Sequence, residues 1–405
     1  MPMPPIFELC PKAPDWRLDW AAIDATFPWI RALAGCPQNP KYHAEGDVWI
    51  HTRMVCEAMV AMDTWRALEP ALREELFAAA LLHDTAKPEC TKVTADGRIT
   101  SRGHARRGEI LARRILWSQG VGIARRERIC GLVRHHMVPL YLRDSERRER
   151  QVLGVSQTIR CDHLGILGRA DANGRICEDH EDLLARHDAY GEICRDLGCF
   201  EHPFPFPSTD VRFRYFRTRD GLPNPGELPA EPNPEDGPEI LLMSGLPGSG
   251  KAEWVRRNAP DLEAVSMDHL RREMGIGLFD NQGAVVARAR DRARELLRRR
   301  EPFVWNDANL TRASRDHLIT LFAEGGARLR LVYVERDEAN LRDRRRQDAL
   351  PDHDLDQLLD RWEVPDLTEA HRIEFVTPDA DPAPLPPTPQ TVATAPEPEA
   401  VTEPG

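Results

Sequence analysis

The feature that most constrains the fold is a glycine-rich turn, Gly-Leu-Pro-Gly-Ser-Gly-Lys, over residues 245–251. It directly follows a short apolar run at residues 240–244, and a helical pattern begins at about Lys251. A turn of this kind presents backbone N–H groups to a phosphate, and the dipole of the following helix adds to the attraction. The order strand, glycine turn, helix therefore predicts an α/β sheet with a nucleotide site at its edge.

Strand and helix patterns alternate downstream of this turn. Further short apolar runs predict strands at residues 264–265, 303–305, 329–334 and 373–376. Upstream, apolar residues recur at helical spacing through residue 200 or so, with no strand-like alternation. We therefore predict a multidomain chain, in which an all-α helical domain precedes an α/β P-loop domain with a parallel sheet.

Composition sets the expected domain limits. The chain divides into a helical domain at 1–202 with its core at about 40–185, a Pro- and acid-rich linker at 203–238, the α/β domain at 239–376, and a disordered Pro- and acid-rich tail at 377–405. Within the linker, residues 211–217 alternate apolar and basic positions, which favours a short strand or a cover over a site.

Hydropathy and cysteine usage predict a cytoplasmic protein without a membrane partner. No run approaches the roughly 18 consecutive apolar residues that span a bilayer. The N-terminus lacks the basic and then apolar order of a signal peptide. All nine cysteines lie at or before Cys199 and none forms a CxxC pair, which indicates free thiols in a reducing compartment.

The net charge of -11 is unevenly distributed. Acidic residues are concentrated in segments 219–239 and 377–405, so the remainder of the chain is close to neutral and can still offer basic patches to a polyanion. The chain has only five lysines, and two of them, Lys87 and Lys251, fall inside candidate motifs. Because arginine is the common basic residue here, these two positions favour a compact point charge.

The first half places four potential metal ligands on the inward faces of predicted helices: His51, His83, Asp84 and Asp171. Buried polar groups of this kind are costly unless they are paired or bind a metal. Two imidazoles and two carboxylates match a borderline divalent cation such as Mn, Co, Zn or Fe. Such an ion lowers the pKa of a bound water and holds a phosphate oxygen.

Further candidates surround this set. Lys87 lies four residues after His83, where it can neutralise a phosphate. A second ion is predicted at His104, His135 and His136, with Asp84 bridging the two ions. The same three histidines could instead orient the phosphate or cap helices.

Two strings carry a family resemblance: Tyr-His-Ala-Glu-Gly-Asp-Val-Trp-Ile-His-Thr over residues 42–52, and Leu-His-Asp-Thr-Ala-Lys-Pro over residues 82–88. They resemble the HD superfamily of metal phosphohydrolases, in particular the HD domain attached to bacterial tRNA nucleotidyltransferases. The resemblance implies hydrolysis of phosphomonoesters and cyclic phosphodiesters. The nucleotidyltransferase head is absent, so the polymerising activity does not carry over.

The second half offers a phosphate-binding loop and catalytic candidates after it. The loop residues expected to hold a nucleoside triphosphate are Gly245, Pro247, Gly248, Ser249, Gly250, Lys251 and Ala252. Lys251 reaches the β and γ phosphates, but Ala252 replaces the Ser or Thr whose hydroxyl usually contacts Mg. Water or another carboxylate replaces that hydroxyl, or the kinase is weak or inactive.

Asp268 and Arg271 follow the next predicted strand, and residues 305–309 follow another, as a place for a metal or acceptor contact. A carboxylate at position 268 can take the proton from an attacking hydroxyl. Arg342 and Arg346 lie four residues apart on a predicted helix and can close over the γ-phosphate.

This order of motifs, over residues 239–376, resembles phage-type 5′-OH polynucleotide kinases. The resemblance implies that Asp268 is the general base, that Arg271 contacts the acceptor phosphate, and that Arg342 and Arg346 form the lid, with Asp343 in place of the family's Asn. Residues 362–365 and 369–371 also look like the family.

Together the halves resemble bacterial HD–polynucleotide kinase fusions. That resemblance implies end healing of RNA or DNA: removal of 2′,3′-cyclic, 2′- or 3′-phosphates, and phosphorylation of 5′-OH ends from ATP or another triphosphate with Mg, before a separately encoded ligase seals the break. Alternatives remain open. They are a small-molecule kinase with a nucleotidase partner, a nucleotide-regulated RNA-binding scaffold, and a nucleotide-signal hydrolase gated by a weak or inactive second domain.

Overall fold

The structure is a computed structural model, and it describes residues 5–145, 147–218, 237–277, 280–347 and 352–377. Two predicted features lie largely outside the described residues: the disordered tail beyond residue 377, and residues 219–236 of the linker. Residues 5–218 are called the helical half below, and residues 237–377 are called the sheet half.

The helical half consists mainly of α-helices, as predicted. In chain order they are α1 (Trp20–Thr26), α2 (Ile30–Leu33), α3 (Val48–Ala61), α4 (Asp63–Arg66), α5 (Pro70–Leu82), α6 (Lys87–Cys90), α7 (His104–Ser118), α8 (Ile123–His135), α9 (Val138–Tyr141), α10 (Arg148–Ser156), α11 (Cys161–Asn173), α12 (His180–Asp196) and α13 (Thr209–Arg217). Short 3-10 helices lie at Ile6–Leu9 and Leu142–Asp144. A small antiparallel hairpin, β1 (Lys92–Val93) with β2 (Ile99–Thr100), was not expected, because two-residue strands are too short to show alternation.

Four helices, α3, α5, α8 and α11, pack together at the centre of this half. Asp47 begins α3, because its side chain accepts a hydrogen bond from Ile50 N at 2.9 Å. From Leu76 to Leu82, α5 is apolar and fully buried, so it forms the middle of the core. Its last turn ends at His83, which places polar residues at the end of an apolar helix.

The first part of the predicted linker, residues 203–218, belongs to the helical half. Residues 211–217, for which a short strand was one expectation, lie instead in α13, so that expectation is wrong. Ser208 caps the helix by accepting a hydrogen bond from Val211 N at 3.1 Å. Phe204, Phe206 and Tyr215 pack against the helical core, so aromatic burial fixes this segment.

The sheet half has the predicted parallel sheet. Its elements are β3 (Glu239–Ser244), α14 (Lys251–Asn258), β4 (Glu263–Ser266), α15 (Met267–Met274), α16 (Gly283–Arg298), β5 (Phe303–Asn306), α17 (Arg312–Glu324), β6 (Arg328–Val334), α18 (Glu338–Gln347), α19 (Asp352–Leu359) and β7 (Arg372–Val376). The strands run in the order β4-β5-β3-β6-β7, and every pair is parallel. All five predicted strands are therefore confirmed, and β3 with its glycine turn lies at the centre.

The two halves are packed against each other through α7 and α8. Trp117 of α7 belongs to the core of the sheet half, and its ring lies 5.2 Å from that of Trp362. Its indole also donates a hydrogen bond to Arg336 O at 3.0 Å. Buried aromatic contact of this kind fixes the relative orientation of the halves.

Candidate functional sites

The four predicted metal ligands of the helical half meet in one buried site. His51 comes from α3, His83 and Asp84 directly follow α5, and Asp171 comes from α11. His51 Nε2 lies 3.0 Å from Asp171 Oδ1 and 3.7 Å from Asp84 Oδ2, and His83 Nε2 lies 3.2 Å from the same Asp84 oxygen. Ligand atoms of His51, His83 and Asp171 all lie within 4.8 Å of one another, which is the spacing of ligands around one ion.

A second group forms on the opposite side of Asp84. Asp84 Oδ1 lies 3.4 Å from His104 Nε2 and 3.9 Å from His136 Nε2, and the two imidazole nitrogens are 3.1 Å apart. One carboxylate thus directs one oxygen to each group. His135 does not join this group; its side chain lines a cleft between the two halves.

The four imidazoles of these two groups share one hydrogen-bonding pattern. Their Nδ1 atoms lie beside backbone carbonyl oxygens: His51 by Gly174 at 3.2 Å, and His83, His104 and His136 by Ala80, Ser101 and Val133 at 2.7 Å. A carbonyl can only accept, so each Nδ1 donates and each Nε2 keeps a lone pair. These lone pairs point toward the carboxylates, which is the tautomer that a metal requires.

Unsatisfied polar atoms test whether a cation fits here. Within the described part of the chain, Nε2 of His51 and His83 and both oxygens of Asp84 are buried without a hydrogen bond of normal geometry. Such atoms are rare in native proteins because each one costs desolvation free energy. The residues therefore fit a divalent cation, which would satisfy them together.

Burial and neighbouring charges set the protonation states of these side chains. Burial raises the pKa of Asp84, but His83 and Lys87 outweigh it and hold that pKa well below its usual range. Burial, with the nearby His104 and His83, lowers the pKa of His136 to about 3. For His83, burial opposes protonation, yet Asp84 raises the pKa, so a proton and a metal compete for its Nε2.

Lys87 lies at the edge of the site. Its Nζ is 2.7 Å from Asp84 Oδ2 and donates a hydrogen bond to Gln38 Oε1, also at 2.7 Å. The ammonium is therefore held against one of the two Asp84 oxygens.

Sequence reasoning missed two charged residues beside the ligands. Glu45 Oε1 lies 2.8 Å from Nδ1 of His43 and 3.0 Å from Nδ1 of His51, so this carboxylate orients the first ligand. Arg175 holds both oxygens of Asp171, at 3.1 and 2.6 Å. The four-residue spacing from Asp171 could have indicated Arg175, whereas Glu45 lies outside a helix and gives no periodic signal.

The glycine turn has the geometry of a phosphate-binding loop. Gly245, Gly248 and Gly250 have φ angles of 139°, 89° and 104°, which favour glycine because it lacks a Cβ. Lys251 Nζ donates to the carbonyl oxygens of Gly245 and Leu246 at 2.8 and 2.9 Å. Burial lowers the pKa of Lys251 to about 8, against the opposing charges of Asp307 and Asp268.

Two carboxylates lie near Lys251 at the carboxyl edge of the sheet. Asp307 follows β5, and burial raises its pKa. Asp268, in the first turn of α15, is exposed and forms an ion pair with Arg271, whose Nε also donates to Gln282 Oε1 at 2.9 Å. The structure therefore brings Asp268, Arg271 and Lys251 to one edge, because the carboxyl ends of parallel strands meet there.

The position after Lys251 carries no oxygen ligand. Ala252 is exposed, and the neighbouring Glu253 is held by Arg344 at 2.6 Å and by Arg336 at 3.4 Å. Ser249 Oγ, one residue before Gly250, is buried and has no hydrogen-bond partner among the described residues. No side chain of residues 252–253 therefore replaces the missing hydroxyl directly.

The arginines of α18 are arranged differently from the expected lid. Arg342 contacts Glu338 at 2.7 Å, and Arg346 is exposed and contacts Asp343 at 2.7 Å. Two arginines lie between them: Arg344 contacts Glu253, and Arg345 is buried, with its stem beside Gly248 of the phosphate-binding loop. The sequence indicated an arginine cluster but not which member faces the loop.

One comparison with known sequence families matches the sheet half. A sequence family described as an AAA domain matches residues 240–365. With the glycine turn and the parallel sheet, this match identifies a P-loop, kinase-like domain that uses a nucleotide and Mg. No helix in the described ranges combines the length and apolarity needed to cross a bilayer.

Individual proteins match smaller shares. The Multifunctional CCA protein of Hahella chejuensis (strain KCTC 2396) is 38% identical over 69 residues, which cover 17% of this chain and 14% of that protein. Among solved structures, Kti12 of Chaetomium thermophilum in complex with ADP-AlF3 is 16% identical with a TM-score of 0.28, over 35% of this chain and 91% of that one. A gluconokinase from Sinorhizobium meliloti 1021 is 25% identical with a TM-score of 0.27, over 36% and 85%.

Proposed function

We propose that this protein is a bifunctional enzyme that heals broken nucleic-acid ends. Its helical half removes 2′,3′-cyclic, 2′- or 3′-phosphates, and its sheet half phosphorylates 5′-OH ends from ATP or another triphosphate. The observation that carries the proposal is the position of Asp84, whose two oxygens face separate imidazole groups. A separately encoded ligase would then seal the break.

The hydrolase proposal is supported by the donor set. His51, His83, Asp84 and Asp171 would hold one divalent cation, and His104 and His136 would hold a second with Asp84. When bound, such ions supply an activated water and polarise the phosphoryl group. Lys87 and Arg175 flank these ligands and would neutralise the phosphate oxygens that remain.

The kinase proposal is supported by the order of groups at the sheet edge. Lys251 and the N–H groups of the loop bind the triphosphate. Asp268, near Lys251, accepts the proton of the attacking 5′-hydroxyl, and Arg271 holds the acceptor phosphate. Asp307 would help to hold the Mg that Ala252 cannot contact. Arg345, whose stem lies beside Gly248, would help to hold the nucleotide in place of the expected Arg342 and Arg346.

One assay tests both activities together. A 5′-OH, 2′,3′-cyclic-phosphate oligonucleotide is incubated with ATP and with Mg plus Mn, Co, Zn or Fe, and both ends are followed. RNA and DNA versions test the substrate class. We expect Asp84→Ala to abolish 3′-end processing and to spare 5′ phosphorylation, and Lys251→Ala to do the reverse. If both activities fall together in either folded variant, the proposal that they have two independent sites is wrong.

The absence of a side-chain hydroxyl at Ala252 favours a second candidate function. The sheet half would bind a triphosphate without transferring it, and nucleotide binding would regulate a phosphohydrolase or an RNA-binding scaffold. A small-molecule kinase is a related possibility. Phosphate transfer to an oligonucleotide, but not to free nucleosides, separates the end-healing proposal from both.

A further inference from the structure

A cleft of about 520 Å³ lies between the helical half and the sheet half, outside both sites described above. Arginines line it: Arg134, Arg147 and Arg150 from the helical half, and Arg312 from the sheet half. A smaller cavity of about 140 Å³ shares Arg147 and Arg150 with it and adds Arg217. The two spaces therefore adjoin along α10 and α13 and form one surface, here called the arginine cleft.

The arginine cleft is positively charged although the whole chain carries a net charge of -11. Its lining contains five arginines and two carboxylates, Asp366 and Asp316, which contact Arg312 and Arg217. Outside the lining, Glu109 lies 3.6 Å from Arg134. Arg150 donates to the carbonyl oxygens of Tyr215 and Phe216 at 2.6 and 2.7 Å, and these neutral acceptors leave its charge uncompensated. Burial lowers the pKa of Arg150, and the positive charge of the adjacent Arg147 lowers it further.

The cleft is positioned between the two candidate sites. His135 lines it, and the next residue, His136, faces Asp84 in the second metal-ligand group. On the other wall, Arg312 begins α17 and follows the carboxyl edge of the sheet, where Asp307 lies near Lys251. The cleft is therefore lined by residues that neighbour each of the two sites along the chain.

The lining matches one polymer better than a small anion. Several guanidinium groups spread over two adjoining spaces suit a row of phosphates, because each phosphate along a strand carries one negative charge. Phe216 lines both spaces and offers a ring on which a base can stack. A nucleoside triphosphate already has a site at the glycine turn, so the cleft is not needed for it.

We propose that the arginine cleft binds the sugar–phosphate backbone of a single-stranded nucleic acid, with Phe216 stacking against a base. The strand whose end is being processed lies there while its terminus reaches one of the two sites. The role in positioning ends rests on the proposed function, but binding itself can be measured separately. RNA and DNA share the phosphodiester chemistry, so both are expected to bind.

Binding is tested with an unreactive 12-nucleotide strand that carries a 5′-phosphate and a 3′-OH. Fluorescence anisotropy compares the full-length protein with Arg147→Glu and Arg150→Glu, for RNA and for DNA. We expect each variant to lose affinity about tenfold, and the slope of log affinity against log salt to fall by about 0.7 for each lost phosphate contact. The matched control is Arg169→Glu, a surface arginine paired with Asp188 and not part of the cleft lining, which should bind normally.

Thermal unfolding shows whether each variant is folded. Arg150→Glu is the variant more prone to a folding defect, because it removes two hydrogen bonds to α13. Arg147 is exposed, so Arg147→Glu gives the decisive comparison. The cleft proposal is wrong if folded Arg147→Glu and folded Arg150→Glu both bind with wild-type affinity. It is also wrong if they lose no more affinity than Arg169→Glu does. Healing of both ends by the unmodified protein in that case leaves the proposed function intact. If binding depends on the cleft but the unmodified protein heals neither end, the cleft proposal stands and the proposed function is wrong.

Discussion

Arg126 and Glu335 form a buried two-pronged ion pair that joins the two halves, with both N–O distances at 2.7 Å. Arg126 lies in α8, and Glu335 directly follows β6. The pair extends into a network, because Tyr333 donates to Glu335 at 2.7 Å and Trp362 donates to Tyr333 at 2.8 Å. The same network lies beside the residues that lead into the lid helix α18.

Breaking this pair should destabilise the protein strongly. Glu335→Gln removes the two-pronged partner of the buried Arg126 charge and leaves it only Glu127, whose Oε1 lies 2.8 Å from Arg126 Nε. Removal of one partner from comparable buried pairs costs about 3–5 kcal/mol. Denaturant unfolding followed by fluorescence measures the loss. Asp316→Asn is the matched control, because it removes an exposed contact to Arg217 across the halves and should cost under about 1 kcal/mol. Similar losses for both variants would contradict the buried role of Glu335.

This contact could not be predicted from the sequence. Arg126 stands in an arginine-rich helix, where neighbouring arginines have the same composition and spacing. Glu335 is 209 positions away, and only the packing of α8 against the sheet brings the two together. Local periodicity predicts which face of a helix is buried, but not what it is buried against.

Metal content should follow the two groups around Asp84. We expect the purified protein to bind two ions, His136→Ala to keep one, and Asp84→Ala to lose both, because Asp84 contributes an oxygen to each group. Dialysed protein is analysed by inductively coupled plasma mass spectrometry. His317→Ala in the sheet half, an exposed histidine outside these groups, serves as the control. One ion in the unmodified protein, still present in Asp84→Ala, would contradict the shared carboxylate.

The inward direction of the candidate ligand side chains could largely be predicted, because it follows from the local periodicity of each helix. His51 and Asp171 lie on apolar helix faces, so periodicity indicates that they point inward. His135 and His136 differ, because neighbouring helical residues point about 100° apart and the sequence does not say which one faces Asp84. The carbonyl partners that fix each imidazole tautomer come from the backbone, and side-chain patterns carry no information about them.

Arg345 should contribute more to nucleotide binding than Arg346. Its buried stem lies beside Gly248, so Arg345→Ala removes a positively charged side chain that packs against the phosphate-binding loop. Arginines that contact a transferred phosphate contribute about 10³-fold or more to phosphoryl transfer, which sets the size of loss expected if Arg345 reaches the nucleotide. Arg346→Ala removes an exposed side chain paired with Asp343 and should have the smaller effect. Steady-state kinase assays of both variants check the order. The reverse order would mean that the lid turns about its axis when nucleotide binds.

Restoring a hydroxyl after Lys251 should strengthen Mg use. Ala252 is exposed, so Ala252→Ser changes stability by less than about 0.5 kcal/mol. The new hydroxyl can contact the metal as in other P-loop proteins, so we expect a higher kcat/KM at limiting Mg. Ala252→Gly is the control without a hydroxyl. An unchanged Mg dependence in Ala252→Ser would indicate that another group, such as Asp307, already makes this contact.

Nucleotide affinity should depend on the protonation of Lys251. Burial lowers its pKa to about 8 in the free protein, and a bound triphosphate raises that pKa because it places negative charge beside the ammonium. The bound state therefore holds the proton to higher pH than the free state does. Affinity is constant below about pH 7 and falls as pH rises through 8, by up to tenfold per unit.

Isothermal titration with ATP between pH 7 and 9.5 measures this dependence. Lys251→Arg provides the comparison, because a guanidinium keeps its charge throughout this range and any remaining affinity should lose the decline above pH 8. The same decline in both proteins would mean that another group takes up the proton. A flat profile in the unmodified protein would mean that burial does not lower the pKa of Lys251 before nucleotide binds.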